Sequence, residues 1–197
     1  MKTIPIIITG SILLLGTFSA VFAQDNDTLK TIFSRKSVRT YTDAAVSKDQ
    51  LTLLVKAGMA APTACYARPW DFIIITDKEC LKKLADALPT SKSAEKAAAA
   101  IVVTGDLNRQ CKGKDASYWM LDCSAASENI LLAAESMGLG AVWTAVFPEA
   151  DRIALVRNIL GIPEGVVPLN IICIGVPNAK DTAKDKFDAK LIHTDKW

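Results

Sequence analysis

Histidine is nearly missing from this chain: 197 residues hold one, His193, close to the C-terminus. That removes hydrolases built on Ser-His-Asp or Cys-His, where an imidazole takes the proton of the nucleophile. Metal-ligand spacing is absent too, since no His, Cys and carboxylate set converges along the sequence. No Gly-x-x-x-x-Gly-Lys-Ser/Thr phosphate loop occurs. A charge excess is also lacking: 23 basic residues face 21 acidic ones, a net +2. Nucleic acid and anionic membranes, which ask for a basic footprint, are therefore not implied as partners. The five cysteines, Cys65, Cys80, Cys111, Cys123 and Cys173, are odd in number, irregularly spaced and free of Cys-x-x-Cys. They do not read as a disulfide framework. Buried thiols are the simplest reading; one disulfide stays open in an oxidising compartment, with no pair singled out. Internal repeats and low-complexity linkers are missing as well. At this length, with 50% hydrophobic residues, the chain suits one compact domain with a real core.

What is present begins with Lys2 and an apolar run over residues 4–22, closed by Val21-Phe22-Ala23. Small residues after a hydrophobic stretch mark a secretory leader, and cleavage is expected after Ala23. Thr9, Gly10, Ser11, Gly16 and Ser19 dilute the run relative to a membrane span. The expected product is a single domain over 24–197, exported, with the periplasm as its expected location and no membrane association after cleavage.

Helices and strands then alternate. Leu29, Ile32 and Phe33 recur at helical spacing, giving a short helix that ends in a basic cluster. Ser47-Lys48-Asp49-Gln50 is a capping box, and the helix it starts should stop before Pro62. Residues 70–76 form a β-rich run, and Asp77 can cap a helix marked by Leu81, Leu84, Ala85 and Leu88. A buried strand is expected over 101–104, closed by Gly105-Asp106. Residues 117–137 are apolar nearly all round and read as a central buried helix ended by Gly138. A strand over 141–147, a helix over 149–160 and a strand over 169–176 complete the mixed α and β pattern.

Three separated segments carry the candidate chemistry. Arg35-Lys36-Ser37-Val38-Arg39 offers guanidinium, ammonium and hydroxyl donors, the groups that hold a phosphate. Alone, it is more simply a solvated basic helix end. Pro62-Thr63-Ala64-Cys65-Tyr66-Ala67-Arg68-Pro69-Trp70 lies in a loop. Gly138-Leu139-Gly140-Ala141-Val142-Trp143 follows a helix and leads into a strand, the reverse of a dinucleotide-binding fingerprint, and alone is a helix C-cap and turn.

In this order the segments resemble the nitroreductase family, dimeric flavoproteins that bind FMN, and the resemblance spans nearly all of 28–197. It implies an α+β sandwich around a mostly antiparallel central sheet flanked by helices, in an intertwined homodimer with the flavin at the subunit interface. It also implies that Arg35, Lys36, Ser37 and Arg39 hold the flavin phosphate, ribityl chain and pyrimidine edge. Pro62, Thr63 and Ala64 fit the family's Pro-Ser-Ala-x-Asn-x-Gln-Pro-Trp loop. Tyr66 departs from its Asn and Arg68 from its Gln. A phenol donates one hydrogen bond where an amide donates two, so the pyrimidine edge would be held differently. Arg68 would either place positive charge near the reduced flavin or, with Tyr66, face solvent. In the family, Gly-Leu-Gly-x-x-Trp brings main-chain amides to the flavin, which points to Trp143, Thr144, Ala145 and Val146, with an N–H facing N5. Lys184 and Lys186 in the tail match a basic pair that closes over the phosphate, and Lys186 lacks the fork of the commoner Arg.

The function implied is an FMN-dependent oxidoreductase in which the flavin, not a catalytic side chain, carries the chemistry. Two electrons would pass by ping-pong from NAD(P)H or another donor to a small acceptor such as a nitroaromatic or quinone. Nicotinamide cofactors are scarce outside the cytoplasm, so export leaves the donor open. The alternatives are a flavin-handling or flavin-fragmenting protein and a non-catalytic ligand-binding module on the same fold. The segments 82–95 and 109–114 are expected as loops that could cover the pocket.

Overall fold

The alternating runs assemble, in a computed structural model, into one four-stranded sheet with helices packed on both faces. The structure describes residues 27–113, 117–179 and 182–197, so the expected leader over 1–23 lies outside the described residues. In chain order the elements are α1 (Asp27–Ser34), α2 (Lys48–Met59), β1 (Trp70–Ile75), α3 (Lys78–Ala87), β2 (Ala99–Asp106), α4 (Trp119–Ser136), β3 (Gly140–Ala145), α5 (Ala150–Leu160) and β4 (Val166–Gly175). The strand order is β1-β2-β4-β3, and all three pairings are antiparallel.

Local chemistry explains the boundaries. Ser47 Oγ accepts from the Gln50 amide at 3.1 Å while Gln50 Oε1 accepts from the Ser47 amide at 2.9 Å, closing the capping box of α2. Asp77 accepts from the Cys80 amide at 2.7 Å and starts α3. Gly138, at φ +70°, takes the left-handed turn that stops α4, and the Leu139 amide reaches back to the Ala134 carbonyl at 2.9 Å.

The sheet separates two cores. On one face α2 and α4 bury Leu51, Leu54 and Ile130 against Ile101, Val103 and Ile172. On the other, α3 and α5 bury Leu81, Leu84 and Val156 against Val102, Val142 and Ile171. A 3₁₀ segment, Pro89–Lys96, joins this second core with Ser91 and Ala94 wholly buried. Residues 82–95 are therefore α3 and core-packing structure, not the expected covering loop.

Two strands outrun their expected limits. Gly105 and Asp106 belong to β2, Gly105 paired with Trp70 and Val167 and Asp106 with Val166, and the Trp119 ring lies against Gly105 where a Cβ would stand 2.3 Å from Cε3. β4 begins at Val166 and passes Pro168, although an interior strand normally excludes proline. The register explains it: Val103 pairs with Asn170 but Thr104 with Pro168, so Leu169 is the extra residue of a bulge.

Candidate functional site

The basic segment after α1 is held against the sheet by its own apolar residues. Val38 is buried, and its amide donates to the Ala141 carbonyl at 2.9 Å. Tyr41 is buried as well; its hydroxyl lies 2.8 Å from the Val38 carbonyl and 3.1 Å from that of Cys173. Burial pushes the Tyr41 phenol far above its ordinary pKa, so it stays a donor. The Thr42 amide bonds the Val176 carbonyl at 2.8 Å. With Val38 turned inward, its neighbours Ser37 and Arg39 are left less buried than it is.

Glutamates of α4 then orient two of the cations. Arg35 Nε lies 3.1 Å from Glu128 Oε1, and Lys36 Nζ lies 3.2 Å from Glu135 Oε1. Arg39 Nη1 donates to the Ser37 carbonyl at 3.4 Å. A cavity of about 550 Å³ is lined by Arg35, Lys36, Ser37, Arg39 and Thr40 together with Thr182, Lys184 and Lys186 of the tail. Segments almost 150 positions apart in the chain thus meet at one positively charged hollow. A neighbouring cavity of about 520 Å³ shares Arg35, Lys184 and Lys186 and adds Ile32, Phe33, Ala183 and Phe187 with one carboxylate, Asp185. A cationic end beside an apolar wall suits an anion carried on a planar or apolar body.

The loop after α2 forms a separate cluster. The Ala64 amide donates to Asp122 Oδ1 of α4 at 2.9 Å, and the Arg68 amide to Thr63 Oγ1 at 3.3 Å. Cys65 and Cys111 form a disulfide with a Cα separation of 5.6 Å, while Cys80, Cys123 and Cys173 are free thiols. Cys65, Tyr66 and Arg68 take the left-handed backbone at φ 53°, 55° and 49°. The Arg68 guanidinium lies 4.5 Å from the centre of the Tyr66 ring, a cation–π pair at the surface, with Tyr66 76% exposed. Pro62, Thr63, Ala64, Tyr66 and Arg68 do not line the cationic cavity.

Arg109 joins this cluster unheralded by any motif. Its Nε binds Asp106 at 2.9 Å, it pairs with Asp71, and its Nη1 and Nη2 donate to the carbonyls of Arg68 and Trp70. The guanidinium beside Asp106 holds that carboxyl below the usual carboxylate range. A lone arginine in a polar stretch gives no sequence signal, because its partners come from β1 and the end of β2.

β3 ends at Ala145, short of the expected limit at Phe147. Trp143 is half-buried against the α4 core. Thr144 is buried in the other direction: its hydroxyl donates to the Ile171 carbonyl at 2.8 Å and accepts from Ser91 at 2.9 Å. Within the 144–146 stretch expected to turn an N–H towards the flavin, the Val146 amide is bonded to the Leu169 carbonyl at 3.0 Å, as is that of Phe147. Ala145 is the exposed residue of the stretch.

The profile of the nitroreductase family matches residues 32–119 and 87–176. The chain belongs to the nitroreductase family. It is similar to a protein of Archaeoglobus fulgidus provisionally named NADH dehydrogenase/NAD(P)H nitroreductase, 41% identical over 86% of this chain and 98% of that one. A solved structure from Parabacteroides distasonis with the same provisional name superposes with a TM-score of 0.82 at 50% identity, covering 87% of this chain and 99% of that one. The NADPH:FMN oxidoreductase of Vibrio harveyi, solved with NAD+, superposes with a TM-score of 0.76 at 27% identity, covering 87% of this chain and 78% of that one. With its family the chain is an oxidoreductase, and its α+β fold is that of the nitroreductases.

Proposed function

We propose that this nitroreductase-family chain is an FMN-dependent oxidoreductase that takes two electrons from NAD(P)H or another reduced donor and passes them to a small acceptor such as a nitroaromatic or quinone. The observation that carries the reading is the cationic hollow in which Arg35, Lys36, Ser37 and Arg39 meet Lys184 and Lys186. An FMN phosphate carries about two negative charges near neutral pH. The donor set fits it: Arg35 and Lys36 are pre-oriented by Glu128 and Glu135, Ser37 offers a hydroxyl, and Arg39, Lys184 and Lys186 line the same hollow and add charge. Pre-orientation lowers the ordering cost of binding.

Bound FMN supplies two-electron hydride chemistry at its N5, so the protein needs no titrating acid or base for the electron-transfer step. The chain's own contribution is to bind, orient and exclude. Arg35, Lys36 and Arg39 neutralise the phosphate end. Ile32, Phe33 and Phe187 give the apolar wall beside it. The Tyr66–Arg68 pair stands outside this hollow, as a planar cationic face on the surface of its own loop.

A second copy of the chain is part of the proposal. Phe33, Phe187, Leu191, Ile192 and Trp197 are exposed at 62% or more, a set of large apolar side chains that a homodimer contact would cover. Export to an oxidising compartment is also proposed, and the Cys65–Cys111 disulfide supports it. The test is the visible spectrum of purified protein, then anaerobic reduction with NADH, NADPH and dithionite followed by an acceptor screen. A flavin band bleached by a donor and restored by an acceptor is expected; a colourless protein that refuses FMN would overturn the reading.

A further inference from the structure

The C-terminal end of α4 breaks a local rule. Glu135 stands in its last turn, which holds no basic residue, although the end of a helix carries partial negative charge and disfavours a carboxylate. The side chain is also largely withdrawn from water, at 16% exposed. Its compensation comes from 99 positions away: Lys36 Nζ lies 3.2 Å from Glu135 Oε1 and 3.4 Å from Oε2. One ammonium thus serves both the carboxylate and the end of the helix dipole.

The same corner of the fold grips the basic segment a second time. Beyond Glu135 the chain turns at Gly138 and enters β3, where Ala141 forms a parallel bridge with Ser37 and its carbonyl accepts from the Val38 amide at 2.9 Å. Lys36 is tied by its side chain to the helix before the turn, and Ser37 by its backbone to the strand after it. Neighbouring residues are therefore fixed to both sides of one turn. Glu128, further back along α4, is the weaker holder, since it meets Arg35 with 47% of its side chain exposed, where ion pairs contribute little.

We propose that Glu135 is a positioning residue of the cationic hollow: acting through Lys36, it fixes the basic segment at the corner between α4 and β3, so that Ser37 and Arg39 share the hollow with Lys184 and Lys186 in the arrangement that takes a phosphate ester. The inference rests on the flavin reading for the identity of the ligand, but not for the role of the pair. Its sign is opposite to that of charge alone. A carboxylate beside an anion site repels the ligand, so a Glu135 acting only by its field would weaken FMN binding, and neutralising it would tighten FMN. As a positioning residue it does the reverse: without it Lys36 and the backbone that carries it must be ordered again on binding, which costs affinity.

The test titrates FMN and riboflavin into the natural full-length chain and into Glu135→Gln, Lys36→Met and the double variant. Glu135→Gln should lower FMN affinity roughly three- to tenfold, leave riboflavin unchanged, and add no further loss on the Lys36→Met background. Glu135→Asp, which keeps the charge but draws it back from Lys36, should give a smaller loss of the same sign and carries the comparison should Glu135→Gln not fold. FMN affinity that is unchanged or tighter in these variants would overturn the proposal, as would an equal loss for both flavins or an additive loss in the double variant. If no form binds FMN, the flavin reading fails, and phenyl phosphate takes its place as the probe; equal phenyl phosphate affinity in the natural chain and the Glu135 variants would then overturn the positioning role as well.

Discussion

Val38 lies so close to Gly140 that a Cβ on the glycine would stand 2.6 Å from Val38 Cγ1 and 2.8 Å from its Cβ. This close approach lets the Val38 amide reach the Ala141 carbonyl and so holds the basic segment against the sheet. Gly140→Ala is expected to push Val38 outward and destabilise the protein by about 1–3 kcal/mol. The same change should loosen FMN through displacement of Ser37 and Arg39. Thermal melting and a flavin titration of the variant check both effects.

Charge removal at the hollow should act without unfolding. Arg39→Ala and Lys186→Ala each take away one charge-assisted contact, worth about 1.5–3 kcal/mol, or roughly ten- to hundredfold in FMN affinity. Neither residue is in the buried core, so Tm should hardly move. Lys186→Arg should retain or tighten binding, because the guanidinium adds a second parallel donor. Isothermal titration of the three variants is the measurement.

The sequence made much of this legible, and the gaps have physical causes. Helix limits followed from local chemistry: the Ser47 box, the Asp77 cap and the Gly138 turn are short-range devices, and each stands where it was expected. The gathering of Arg35 and Lys186 could be expected only through family resemblance, since no local rule links residues that far apart. The Cys65–Cys111 pair, the Arg109 ties and the burial of Thr144 were not readable. All three depend on tertiary neighbours: the segment after β2 for Cys65, Asp71 and Asp106 for Arg109, and Ser91 and Ile171 for Thr144.

Acid should weaken the fastening of β1 to β2. Asp106 has its pKa lowered by its bonds to Arg109, so the charged pair adds stability above the ordinary carboxylate pKa and loses it as pH falls through the lowered value. The Tm difference between the natural chain and Asp106→Asn should be present at neutral pH and shrink below pH about 4. A difference that grows on acidification would contradict this sign.

Thiol labelling should sort the sulfurs by burial. In the native oxidised protein, iodoacetamide should leave Cys123 and Cys173 untouched and reach half-buried Cys80 only slowly. After mild reduction Cys65 and Cys111 should label together, as mass spectrometry of the peptides will show.

The most direct measurement for the central claim is a paired titration of the apoprotein with FMN and with riboflavin, which differ by the phosphate. If Arg35, Lys36, Arg39, Lys184 and Lys186 form a phosphate site, FMN should bind at least about tenfold more tightly, with a preference that falls as salt is added. Equal affinity for the two flavins at low salt would contradict it.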